Sequence, residues 1–179
     1  MKSFLLSVTT ALALVFFATG EGIAQADGVT VNISNVHLCC DKCVQGVDKA
    51  VGDITGVKAT ADKATKIVVL TAPDKATLQK AADALVAAGY FGESSDPDVK
   101  IVSVTGAKND KVQTLKVADV HLCCPKCIKA LNMALKEVPG VTTNDAVKGA
   151  KFFTITGDFN DADVFKALQK NGLTGKVAE

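Results

Sequence analysis

Every thiol and every imidazole of this 179-residue chain lies within two copies of one short motif. Val36-His37-Leu38-Cys39-Cys40-Asp41-Lys42-Cys43 returns as Val120-His121-Leu122-Cys123-Cys124-Pro125-Lys126-Cys127, 84 positions downstream. Thiolates bind soft metals and attack disulfides, so the pattern points to metal or thiol-exchange chemistry. Each copy holds three cysteines, and one bridge closed within a copy strands a thiol. A purely structural disulfide framework would come out even.

The elements that must position these groups can be read from periodicity. Val29, Val31, Ile33 and Val36 alternate as a first strand, matched by Val112, Leu115, Val117 and Val120. Val44, Val47, Val51 and Ile54 then mark one face of a helix, as do Ile128, Leu131, Leu135 and Val138. Gly56 and Gly140 lead into hairpins that turn at Asp62–Thr65 and Lys148–Ala150, with returning strands at Lys66–Thr71 and Lys151–Thr156. Second helices are expected at Asp74–Ala88 and Asp161–Asn171, with Gly89 and Gly172 placed as left-handed C-terminal caps. Final strands are expected at Val99–Val104 and Leu173–Val177. Over Val36–Val57 and Val120–Val141, ten of 22 positions are identical, so the order βαββαβ is read as occurring twice. The predicted class is α+β: two tandem ferredoxin-like sandwiches, each a four-stranded antiparallel sheet with two helices on one face. The expected division is a first domain over 27–106, a linker over 107–111 and a second domain over 112–179.

Within this plan Cys40 and Cys43 straddle the end of the strand–helix loop and the first helical turn. Their sulfurs can converge where the positive end of the helix dipole favours thiolate. Pro125 suits the first helical position, which puts Cys124 just before a helix and Cys127 within it. The loops and the surrounding βαββαβ order resemble the heavy-metal-associated (HMA) domains of copper chaperones, copper-transporting ATPases and the periplasmic mercury-binding protein. That family's loop reads Gly-Met-x-Cys-x-x-Cys; here it is His37-Leu38-Cys39-Cys40-x-x-Cys43 and His121-Leu122-Cys123-Cys124-x-x-Cys127. The resemblance implies binding of a soft ion, Cu(I) foremost, by Cys40 and Cys43 and by Cys124 and Cys127. Leu38 and Leu122 replace the family's methionine. Cys39, Cys123, His37 and His121 fall outside its pattern and widen the choice of ion. Two thiolates suit Cu(I) or Hg(II), three suit trigonal coordination, and Cys with His can give tetrahedral Zn(II). For Cys39 and Cys123 the alternative is a small buried hydrophobe on the strand; for the histidines it is a hydrogen-bonded structural role.

Composition narrows the setting. All 20 basic residues are scattered lysines balanced by 19 acidic ones, and the chain has no tryptophan, so nucleic-acid binding has no support. Lys2, the apolar stretch Phe4–Ala18 and Ala24-Gln25-Ala26 read as a cleaved signal peptide over 1–26. The expected setting is periplasmic or secreted, with no membrane span after cleavage. The expected role is that of an exported, non-enzymatic carrier, passing its ion to a metal-transporting or metal-accepting protein with cysteines of its own. The alternatives are a thiol–disulfide redox protein and a scaffold module with structural disulfides.

Overall fold

The computed structural model describes residues 28–178; the expected signal peptide lies outside the described residues. The chain folds as β1 (Val29–Ser34), α1 (Asp41–Val51), β2 (Lys58–Asp62), β3 (Ile67–Ala72), α2 (Lys75–Ala87) and β4 (Glu93–Ser94). Then follow β5 (Lys111–Ala118), α3 (Pro125–Lys136), β6 (Val141–Asn144), β7 (Phe152–Asn160), α4 (Asp161–Lys170) and β8 (Lys176–Val177). The strands form two four-stranded antiparallel sheets, ordered β2-β3-β1-β4 and β6-β7-β5-β8. The architecture is α+β, two ferredoxin-like sandwiches. No helix among the described residues is long and apolar enough to cross a membrane.

Strand alternation sets the core. Val31 and Ile33 pair with Leu70 and Val68, and all four are buried; Leu115 and Val117 pair likewise with Ile155 and Phe153. The helices cover these faces with Val47, Val51, Leu78 and Leu85 in one half and with Leu131, Leu135, Val164 and Leu168 in the other. Asp74 caps α2 by accepting from the Thr77 N–H, and Asn160 caps α4 by accepting from the Ala162 N–H.

Two of the expected strands differ. The strand beside β1 is Glu93–Ser94 and not Val99–Val104, which has no regular structure. After α2 the chain turns at once through Gly89 and Gly92, so β1 is paired before Val99 is reached. Of the expected strand residues only Val99 is buried; Val104 is 86% exposed. This stretch passes along the outer side of β8, where the Thr105 carbonyl accepts from the Val177 N–H at 2.8 Å. The expected strand Leu173–Val177 shortens to Lys176–Val177, because Leu173 pairs instead with Tyr90 of the other half.

The pairing of Leu173 with Tyr90 belongs to a reciprocal clasp. The Gly172 carbonyl accepts from the N–H groups of His37 and Phe91, and the Gly89 carbonyl accepts from the Thr174 N–H. A Cβ on Gly89 would stand 2.4 Å from the His121 nitrogen, and one on Gly172 would stand 2.5 Å from the His37 nitrogen. Each glycine, at φ +85° and +73°, lets the loop after the opposite half's first strand lie directly on its backbone. The connection between the halves is also held: the buried Asp161 carboxylate accepts from the Lys108 and Asp110 N–H groups at 2.8 and 2.9 Å. Gly89→Ala and Gly172→Ala should therefore each cost at least about 1–3 kcal/mol in urea denaturation of the reduced protein. An unchanged midpoint for both would show that the clasp does not matter.

Candidate metal centre

The clasp brings the two cysteine loops together. Cys40 and Cys124 are the extended N-cap residues of α1 and α3, and Pro125 opens α3. Each N-cap carbonyl accepts from the N–H three residues on, Cys43 at 2.9 Å and Cys127 at 3.0 Å, which folds both C-x-x-C pairs around a helix start. Cys43 and Cys127 are fully buried, whereas Cys39, Cys40, Cys123 and Cys124 are half-buried.

All six sulfurs form one cluster. Within the loops, Cys40 and Cys43 are 3.8 Å apart, Cys124 and Cys127 3.7 Å, Cys39 and Cys43 3.6 Å, and Cys123 and Cys127 3.7 Å. Between the loops, Cys39 lies 3.4 Å from Cys124 and 3.6 Å from Cys127. Cys123 lies 3.8 Å from Cys40 and 3.6 Å from Cys43. Cys40 meets Cys124 at 3.7 Å, and Cys43 meets Cys127 at 4.0 Å. Exchanging the loops maps each contact onto another of similar length, so the cluster has an approximate two-fold axis. Among the described residues, four triads place their donor atoms within 4.8 Å of one another: His37, Cys39 and Cys127; Cys39, Cys40 and Cys124; Cys40, Cys43 and Cys123; and Cys123, Cys124 and Cys127. An open cleft of about 480 Å³, bordered by Cys40, Cys123 and Cys124 and by Asp41, Lys42 and Lys148 among others, leads to the cluster from outside.

Crowded thiols cannot all ionise together. Contact with the Cys127 thiol, aided by His121, holds Cys43 well below the ordinary thiol range, and the Cys43 thiolate in turn pushes Cys127 up. Burial opposes the ionisation of Cys124, but the Cys127 N–H and the Cys39 thiol outweigh it and bring Cys124 down to about 6. Burial and the neighbouring thiolates push Cys39 and Cys123 up. In the metal-free protein some sulfurs are thus ready donors, and others must release a proton before they can ligate.

The two histidines, equivalent in sequence, sit differently. The Tyr90 hydroxyl donates to the Cys43 carbonyl at 2.7 Å and lies 3.1 Å from His121 Nε2, with the two rings stacked at 4.5 Å. The hydroxyl has one proton, already committed to the Cys43 carbonyl, so His121 Nε2–H is the donor between the two rings. His37 has no such partner, because the residue after Gly172 is Leu173, and its Nε2 is buried without a hydrogen bond. Burial lowers the pKa of His37, which keeps the ring neutral, the form that ligates metal. His37 lies near Cys39 and Cys127, the sulfurs of both loops. Tyr90 itself was not singled out from the sequence as a site residue. Its signal was only that the chain's one tyrosine directly follows a cap glycine.

No family model and no curated protein matches the chain. Among solved structures the chain is similar to the N-terminal soluble domains of Bacillus subtilis CopA. The identity is 15% and the TM-score 0.33, over 86% of this chain and 95% of that one. It is similar also to the first two RRM domains of the yeast poly(U)-binding protein Pub1, at 15% identity and TM-score 0.24, over 84% and 98% of the two chains. Likenesses this distant say nothing of what the chain does; the chemistry rests on its own sulfurs.

Tyr90→Phe keeps the stack but removes the hydroxyl that serves Cys43 and His121. It should cost about 1–3 kcal/mol, measured by urea denaturation of reduced, metal-free protein. A cost near zero would mean that water replaces both bonds.

Proposed function

We propose that the protein binds a soft metal ion, Cu(I) in preference to Zn(II) or Hg(II), and hands it to an acceptor with cysteines of its own. The observation that carries this reading is the convergence of six thiols, without an intervening side chain, at the N-termini of α1 and α3. A purely packing role would not gather every thiol of the chain in one place, since each buried Cys could be served by Ala or Val at less chemical risk. The two helix dipoles favour the negative charge that thiolate ligands bring. Softness of the donors favours Cu(I) over harder ions. In this reading the halves are tandem HMA-like domains, and residues 1–26 direct the chain to the periplasm or outside.

Transfer follows from exposure. Cys40 and Cys124 border the open cleft, whereas Cys43 and Cys127 lie beneath them. An acceptor thiolate entering the cleft displaces the upper sulfurs first, while the buried ones keep hold of the ion. Exchange then proceeds one ligand at a time through the cleft. The protein acts in this scheme as a carrier and not as a catalyst.

Anaerobic native mass spectrometry of the reduced protein, titrated with Cu(I) against a competing chelator, tests the reading. Two tightly bound ions are expected for the parent, and one for the C40S/C43S variant. Failure of the parent to compete with the chelator would sink metal carriage. Binding exchanges thiol protons for metal, and burial keeps Cys39 and Cys123 protonated. Apparent affinity should therefore rise steadily with pH through the neutral range. Proton release in a lightly buffered titration measures this directly, and pH-independent affinity would show that those thiols take no part.

A further inference from the structure

Each loop contributes three sulfurs, and the simplest assignment groups Cys39 with Cys40 and Cys43, and Cys123 with Cys124 and Cys127. The geometry points elsewhere. The sulfurs of Cys39 and Cys40 lie within 4.8 Å of each other, as do those of Cys123 and Cys124, but neither adjacent pair is in direct contact. Cys39 touches Cys43, Cys124 and Cys127 but not its neighbour Cys40. Cys123 touches Cys40, Cys43 and Cys127 but not Cys124.

We propose that each ion is held by three sulfurs drawn from both loops: Cys40 and Cys43 with Cys123, and Cys124 and Cys127 with Cys39. The first cysteine of each motif serves the opposite half. The edges of one triad are 3.8, 3.6 and 3.8 Å, and those of the other are 3.7, 3.4 and 3.6 Å. The centre of such triangles lies about 2.1–2.2 Å from every corner, close to the ~2.3 Å of a metal–thiolate bond. Neither single-loop triad has all three of its edges in direct contact: Cys123, Cys124 and Cys127 lie within 4.8 Å of one another, but Cys123 and Cys124 do not touch. The crossed triads use each sulfur once, are exchanged by the approximate two-fold axis, and leave no odd thiol in either loop.

The inference rests on the metal-carrying reading and adds the ligand set. When Cu(I) enters a triad, whichever protons its sulfurs still carry pass to solvent, and a lone pair from each of the three sulfurs passes to the ion. No electron is transferred, so copper stays Cu(I). Each filled triad carries two net negative charges, which the helix starts at α1 and α3 help to offset.

The decisive experiment starts from C40S/C43S loaded with Cu(I), in which the remaining ion belongs to Cys124, Cys127 and Cys39. Adding C39S should lower the sulfur coordination seen by X-ray absorption from three to two and weaken binding at least about tenfold. Adding C123S instead should change neither. The mirror series, C124S/C127S with C123S or with C39S, should give the reversed pattern, and it decides the matter if either parent variant fails to fold. Sensitivity to the same-loop cysteine, or to neither, would overturn crossed ligation while leaving metal carriage intact. Absence of Cu(I) binding by the unsubstituted protein would overturn both.

Discussion

The arrangement depends on the contact between each half's helix-ending glycine and the backbone of the other half's first loop. Gly89 and Gly172 have no side chain to hold the loops away, so Asp119–His121 and Asn35–His37 settle directly on them. The hydrogen bonds that result pass through main-chain groups and therefore fix position without depending on flexible side chains. Six thiols that two isolated sandwiches would present separately are thereby forced into one volume. The linker reinforces this, since Asp161 grips its backbone and leaves it little freedom as a tether. The two sites stand in fixed register, not in the loose proximity that a flexible connection would give.

Electrostatics then makes the cluster reactive. Packing so many acids together in a half-buried place is costly unless protons are shared or a cation replaces them. The opposed behaviour of Cys43 and Cys127 expresses that frustration in the metal-free protein: one sulfur keeps charge because its neighbour keeps a proton. A soft cation relieves it. The same crowding favours oxidation wherever metal is scarce, so the resting state of this centre depends on its surroundings.

The fold was legible in the sequence because apolar spacing switches cleanly between strand and helix periods, and because both glycine caps are local signals. Both second helices lie within a residue of where their patterns place them. The strand beside β1 was not legible. Val99–Val104 has the right residue types, but pairing was decided earlier by Gly92, whose close approach to Ser34 only tertiary structure reveals. The donor residues themselves could be picked out by type and spacing. Their mutual contact could not, because it arises from a docking of halves that leaves no periodic trace. Cys39, for one, meets Cys124, 85 positions along the chain.

The chain has a single tyrosine and no tryptophan, and that tyrosine is Tyr90. Its ring stacks on His121 and its hydroxyl bonds to the backbone of Cys43. The protein's tyrosine emission therefore originates at one point, beside the cluster. An ion entering the cluster, a disulfide closing there, or the two halves parting would each alter that emission. The molecule carries its own optical gauge of the centre, with no label to attach and no tryptophan emission to subtract.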